Sequence, residues 1–322
     1  MTDSSSRIAF LFPGQGSQAV GMGKELADNY PVARRTFEEA DEALGYKLSE
    51  LCFEGPEEKL KLTEITQPAI LTASIAAWRV LQEKGLKPNP ATDYVAGHSL
   101  GEYSAHVAAG TLAFADAVRT VRNRGKYMQE AVPVGVGAMA AILGMSLAKV
   151  SEISGDAAQG EVCQAANINS PEQIVISGHA GAVDRAVRLA HERGAKKAVS
   201  LPVSAPFHCS LMQPAQDRLA VDLSTLSFQN PSCHVVCNVD AAIVPSAEAA
   251  RAALIRQVTG AVRWEPSVRL LIHKGATLFV EVGPGKVLWG LMRQIDRSKT
   301  CVTVGDEASL QKTLVQVAAT AA

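Results

Sequence analysis

The run Gly97-His98-Ser99-Leu100-Gly101 constrains this chain more than any other five residues in it. An apolar run of buried-strand type, 94–96, leads into it. A segment with helical spacing, 100–109, leads out and is closed by Gly110. A serine between two glycines at a strand-to-helix bend is the sequence form of a nucleophile elbow. The bend is tight, and a Cβ on either flank would clash. It pushes the Ser99 hydroxyl out at the carboxyl edge of a sheet, where the following helix aims its free N–H groups and positive end. An oxyanion formed beside Ser99 would meet the amide of Leu100 there. Glycine and serine are common, and the five residues alone also fit an ordinary turn; the strand before and the helix after favour the elbow.

Short apolar runs alternate with helical patterns around that bend. Residues 8–12 read as a buried strand, and 32–44 as a helix ending at Gly45. Residues 68–84 carry Ile70, Leu71, Ile75, Trp78 and Leu81 at helical spacing and stop at Gly85. Such alternation predicts an α/β fold, a parallel sheet covered by helices. The middle of the chain changes rhythm: 138–143, 162–166, 174–177 and 198–203 read as strands, and 183–193 as a helix stopped by Gly194. We therefore expect a small inserted α+β subdomain over 132–203, with 1–131 and 204–322 forming a discontinuous large domain. Buried strands resume at 235–239 and 277–282, and 313–322 reads as a fraying helix.

Composition narrows the function classes. In 322 residues, 47 % are hydrophobic and 20 % charged, which argues against disorder. Lys and Arg number 31 against 32 Asp and Glu, without the basic bias of a nucleic-acid binder. Cys52, Cys163, Cys209, Cys233, Cys237 and Cys301 form no C-x-x-C pair; they read as buried thiols in a reducing compartment, not as a metal site. The polar N-terminus lacks a signal-peptide layout. Residues 131–148 are uncharged and about long enough to cross a bilayer, but Pro133, Gly135, Gly137 and Gly144 break them into a loop and a strand. A cytoplasmic protein without a membrane partner is expected.

A serine nucleophile needs a base. His98 adjoins Ser99 but points the wrong way along the turn, and His179 and His191 fall in the insert. His208, in the proline-led loop Pro206-Phe207-His208-Cys209, is the favoured candidate, with a surface or core histidine as the other reading. Two rival functions share these features. Gly14-x-Gly16-x-x-Ala19 fits a loose dinucleotide fingerprint, which requires a second strand ending in an acid about 20 residues on; residues 34–40 read as helix instead. A serine esterase or thioesterase would use the same elbow, delivering the acyl group to water in place of a thiol.

Six motifs occur in series: Phe12-Pro13-Gly14-Gln15-Gly16-Ser17-Gln18, Gly97-His98-Ser99-Leu100-Gly101-Glu102-Tyr103, Arg124-Gly125-Lys126-Tyr127-Met128-Gln129, Gly137-Ala138-Met139-Ala140-Ala141, Pro206-Phe207-His208-Cys209 and Glu281-Val282-Gly283-Pro284-Gly285. Together they resemble the malonyl-CoA:acyl carrier protein transacylases of bacterial fatty acid synthesis and the related acyltransferase domains of polyketide synthases. The resemblance covers nearly the whole chain. It implies a hydrolase-like α/β large domain with a ferredoxin-like insert. It implies Ser99 as nucleophile, His208 as base, the amides of Gln15 and Leu100 as oxyanion hole, and the carbonyl of Gln257 orienting the histidine. Arg124 would bind the free carboxylate of malonyl, and His98, Asn167, Asn169 and Phe207 would line the cleft. The partners implied are malonyl-CoA and acyl carrier protein, with Lys196, Lys197 and Arg293 as candidate docking cations.

Physical chemistry supports these transfers. A thioester is already a reactive acyl donor, and no metal or other cofactor is called for. A guanidinium holds a carboxylate in bidentate fashion, as lysine cannot. Left unpaired in an apolar cleft it would be unfavourable by roughly 3–5 kcal/mol, disfavouring uncharged acyl groups. Arg119 and Arg122 read as helix-surface residues. Phe207 stands where serine is frequent in bacterial members; its bulk resembles that of malonyl-selective polyketide acyltransferases, which exclude the methyl of methylmalonyl.

Overall fold

The structure is a computed structural model describing residues 7–203 and 205–321. Residues 1–6, the rest of the polar N-terminus, and Ala322 lie outside the described residues. The strands are β1 (Arg7–Phe12), β2 (Tyr94–Gly97), β3 (Gly137–Leu143), β4 (Cys163–Ser170), β5 (Gln173–His179), β6 (Lys197–Ser200), β7 (His234–Cys237), β8 (Ala242–Ile243), β9 (Ala276–Val282) and β10 (Thr300–Val304). They form two sheets, ordered β10-β9-β1-β2-β7-β8 and β4-β5-β3-β6.

The first sheet is parallel except for the short edge strand β8, which runs antiparallel to β7. Its central strand β1 is buried on both faces. Ile8, Phe10 and Phe12 enter one apolar core, while Ala9 and Leu11 enter the other, as expected where helices cover both sides of a parallel sheet. Trp78, from the Thr63–Glu83 helix, packs edge-on against Phe10 and Phe12 at 4.9 and 5.8 Å. The last motif belongs to this frame. Buried Glu281 accepts the amides of Leu288 and Trp289, at the start of the Val287–Ile295 helix, at 3.0 and 2.8 Å.

The second sheet is antiparallel. With the Leu147–Ala158 and Ala180–Glu192 helices it follows the order βαββαβ, and the two helices share a third apolar core with it. That is the ferredoxin-like arrangement. The uncharged stretch 131–148 is a loop followed by β3, and among the described residues no helix is long and apolar enough to cross a membrane.

Of the boundaries that differ from the sequence reading, three bear on the site. The long helix starts at Thr63, so Pro68 lies inside it; Pro68 lacks the N–H that would meet the carbonyl of Glu64. β4 extends to Ser170 through register shifts between Ala165 and Asn167 and between Ile168 and Ser170. The polar Asn167 and Asn169 at these bulges disguise it as loop. β6 ends at Ser200, leaving Leu201 and Val203 outside the sheet. The segment where a dinucleotide fold would place its second strand lies in the Pro31–Leu44 helix.

Candidate active site

The carboxyl ends of the neighbouring strands β1 and β2 bring Gln15 and Ser99 to one cleft. The elbow is as tight as its glycines require. A Cβ on Gly97 would lie 1.9 Å from the carbonyl oxygen of Gly101, and one on Gly101 would lie 2.2 Å from that of Phe12. Ser99 has φ 52°, a left-handed conformation that costs a non-glycine residue about 1–3 kcal/mol and persists only when its surroundings over-determine it. Here they do: its N–H donates to Asn238 Oδ1 at 2.7 Å, and its carbonyl accepts from Gln257 Nε2 at 2.9 Å.

His208 arrives from the loop after the second sheet, also at positive φ, 59°. Its Nδ1 donates to the carbonyl of Gln257 at 2.9 Å and lies 3.2 Å from that of Gly260. With Nδ1 protonated, Nε2 is the free lone pair, and it accepts the Ser99 hydroxyl at 2.8 Å. Burial, and next the positive charge of Arg124, lower the imidazole from 6.5 to about 3. It is therefore a neutral base throughout the physiological range.

Arg124 is 1 % exposed. It lies on the Phe114–Glu130 helix, which approaches the Thr63–Glu83 helix so closely that a Cβ on Gly125 would sit 2.6 Å from the carbonyl of Thr63. The guanidinium donates to Gln67 Oε1 at 2.7 Å, Gln257 Oε1 at 2.9 Å and Ser99 Oγ at 3.0 Å. Its Nε has no partner, and no carboxylate among the described residues forms an ion pair with it. Burial pushes its pKa down, but arginine stays charged in proteins. A buried cation whose hydrogen-bond acceptors are all neutral oxygens, with the Tyr103 ring 5.7 Å away, is able to take up an anion.

The cavity over Ser99 is lined by Gln15, Leu100, His98, Asn167 and Phe207, with Met139, Leu201 and Val203 on the side of the second sheet. Among the described residues, the amides of Gln15 and Leu100 meet no acceptor. Asn169, expected in the lining, does not reach the cavity. Its Oδ1 accepts from His98 Nε2 at 2.8 Å, because the β4 bulges turn Asn167 and Asn169 to different neighbours. That bond also occupies His98, which packs beside Trp264 away from the serine hydroxyl. His179 and His191 serve the second sheet, with His179 accepting the Val162 amide and His191 donating to the Ala198 carbonyl. Arg119 pairs on the surface with Asp116, and Arg122 lies over the Tyr46 ring.

The proposed docking cations are dispersed. Lys196 is engaged with Glu172 at 2.8 Å, Lys197 is exposed at the start of edge strand β6, and Arg293 stacks over Trp289 at 4.9 Å on the far side, near β4. Sequence reasoning missed Gln67, Asn238 and Glu102. Gln67 carried one usable signal, as a polar residue directly before a proline inside an apolar helical run.

A serine hydroxyl bonded to a buried imidazole and a buried guanidinium at the mouth of a tight elbow is an arrangement suited to acyl transfer. Residues 9–319 match the acyl transferase domain family. The chain belongs to that family and is an acyltransferase. It is 50 % identical over 311 residues to the malonyl CoA-acyl carrier protein transacylase of Salmonella typhimurium, covering 97 % of this chain and 100 % of that one. It is 49 % identical over 307 residues to the Bacillus subtilis protein of the same name, covering 95 % and 96 %. The solved structure of the Coxiella burnetii malonyl CoA-acyl carrier protein transacylase superposes with a TM-score of 0.94 at 45 % identity, covering 98 % of each chain. A malonyl-transacylase solved in complex with a type II PKS acyl-carrier protein superposes with a TM-score of 0.93 at 48 % identity, covering 97 % of this chain and 100 % of that one.

Proposed function

We propose that this protein transfers a malonyl group from malonyl-CoA to the phosphopantetheine thiol of an acyl carrier protein through a malonyl-Ser99 intermediate. The observation that carries the choice of donor is the Arg124 guanidinium, buried, without a carboxylate partner among the described residues, and 3.0 Å from Ser99 Oγ. In malonyl a single methylene separates the thioester carbonyl from the free carboxylate. A group bonded to Ser99 Oγ therefore presents that carboxylate to a guanidinium beside the serine.

In the first half-reaction His208 Nε2 takes the Ser99 proton as Oγ attacks the thioester carbonyl. The amides of Gln15 and Leu100 receive the oxyanion, each contributing about 2.7–4 kcal/mol. Collapse expels the CoA thiolate, which takes the proton from His208. The carrier thiol repeats the sequence in reverse, its proton passing to His208 as sulfur attacks the acyl-serine. The thioester supplies the activation, and the steps need no metal or other cofactor. Phe207 at the cavity wall would crowd a methyl on the malonyl α-carbon. The division into a large catalytic domain of 1–131 with 204–322 and a small ferredoxin-like subdomain of 132–203 is part of this reading. So is carrier docking, for which exposed Lys197 is the candidate cation, Lys196 being held by Glu172 and Arg293 lying toward the opposite edge of the second sheet. A cytoplasmic site of action accords with the free cysteines Cys52, Cys163, Cys209, Cys233, Cys237 and Cys301.

Intact-mass spectrometry after mixing the protein with malonyl-, methylmalonyl- and acetyl-CoA tests the proposal. A stoichiometric malonyl adduct that disappears on adding holo carrier protein is expected. Release of free malonate at the same rate with and without carrier protein would make the protein a thioesterase instead.

A further inference from the structure

Below the elbow lies a buried carboxylate that the mechanism does not use. Glu102, on the Gly101–Ala108 helix, is fully buried. No lysine or arginine among the described residues pairs with it; its neighbour within ion-pair range is His106, with Nε2 at 3.9 Å. A carboxylate held this way is unfavourable unless its bonds accomplish something.

We propose that Glu102 is a positioning residue for acyl transfer, acting through the side chain of Gln257 to set the Arg124 carboxylate receptor and through Asn238 to hold the strained Ser99. This rests on the reading of Ser99 and Arg124 given above. Glu102 Oε2 accepts from Gln257 Nε2 at 2.7 Å and from the Asn238 backbone N–H at 2.9 Å. A carboxylate oxygen that accepts this bond holds the NH2 group of Gln257 toward Glu102. The same NH2 group reaches the Ser99 carbonyl, and the amide oxygen is left facing Arg124 Nη2 at 2.9 Å. Rotating that amide by half a turn would set oxygen against the carboxylate and the serine carbonyl, and NH2 against the guanidinium.

Asn238 completes the clamp. Its Oδ1 accepts the Ser99 amide and its Nδ2 donates to the Gly97 carbonyl, both at 2.7 Å. The nucleophile's N–H thus ends on the side chain of Asn238, whose own backbone N–H is held by the Glu102 carboxylate, and its carbonyl ends on Gln257 Nε2 and on the backbone N–H of Glu102. One amide, that of Gln257, stands between Glu102 and Arg124, and Glu102 acts across it to favour the charged guanidinium against the effect of burial. A direct ion pair would close the receptor; this arrangement leaves the guanidinium able to take a substrate carboxylate.

The test is a double-mutant cycle of Glu102→Gln and Gln257→Leu, the latter keeping the backbone carbonyl that holds His208. The readout is the rate of acylation by malonyl-CoA relative to acetyl-CoA, followed by intact mass. Each single variant is expected to lose malonyl acylation by about tenfold or more, with a smaller loss for acetyl, and the double variant to be little worse than either, as for residues acting as a unit. Multiplicative losses, or an unchanged malonyl-to-acetyl ratio in Glu102→Gln, would overturn the proposal. If Glu102→Gln does not fold, Gln257→Leu alone decides, because an unchanged ratio there also overturns it. Arg124→Ala in the same assay separates the layers. If Arg124→Ala abolishes the preference while Glu102→Gln leaves it intact, only the role of Glu102 fails; if Arg124→Ala leaves the preference intact, the carboxylate receptor itself fails.

Discussion

The two walls of the cleft are built differently. The wall carried by the parallel sheet and its helices holds Ser99, His208, Arg124 and Gln67, with Gln257 behind them, and nearly every polar atom is fixed by a partner far away in sequence. The wall carried by the second sheet offers Met139 from β3, Asn167 from β4, and Leu201 and Val203 just past β6. One wall holds charge and proton-transfer groups in a buried polar network. The other supplies mainly apolar surface, with spacing set by strand pairing. On the proposed mechanism, chemistry belongs to the first wall and fit to the second. The two are tied by the main-chain bonds of Ile168 and Ala166 to Val262 and by the His98–Asn169 bond.

Mutations can break or sharpen that contrast. The largest effect is expected from Ser99→Ala, which should lower transfer by about ten-thousand-fold or more and leave no malonyl adduct by intact mass. Persistent stoichiometric label would remove the serine from the first wall's chemistry. His208→Ala should slow serine acylation by about 10²–10⁴-fold in single-turnover assays.

The pH profile examines the same group. Because burial and Arg124 lower the imidazole to about 3, the free enzyme should keep its base well below the ordinary histidine value, and Arg124→Ala should shift the acid limb upward. A wild-type limb at 6.5 would mean that the imidazole does not feel this environment. The same shift makes folding stability depend on pH. The folded pKa lies below the unfolded one, so the contribution is complete above about 6.5 and is lost as pH falls toward 3, where the unfolded chain takes up the proton.

Arg124→Ala should reduce malonyl acylation by about 10²–10³-fold, the equivalent of removing one partner of a buried charged pair, while acetyl acylation changes much less. Equal losses would make Arg124 structural. The smallest effect is expected on the second wall. Met139→Ala should raise KM with kcat within about tenfold, as loss of apolar contact to bound substrate does. A kcat loss approaching that of His208→Ala would erase the distinction between the walls.

The elbow was legible because its cause is local: glycines where a Cβ would meet a carbonyl, between an apolar run and a helix. The same holds for the Gly45, Gly85 and Gly110 stops, all at positive φ. His208 could be favoured from its loop but not fixed from the residues alone, since its partners Ser99 and Gln257 are 109 and 49 residues away. Gln67 escaped because the proline after it looked like a helix start. β4 was cut short because its bulges carry asparagines where an apolar residue was expected. β10, a partly exposed edge strand, was not anticipated at all.

By itself the sequence determined much of the local conformation: the apolar central strands, the glycine stops of several helices, and that one serine must stand at a sharp bend. These follow from sterics and periodicity within a few residues. Only the tertiary structure decided which amide oxygens face Arg124, which carboxylate sits beneath Gln257, and how Asn167 and Asn169 part ways. Those are settled by hydrogen-bond complementarity between groups brought together from distant parts of the chain, and no short-range pattern encodes such a meeting.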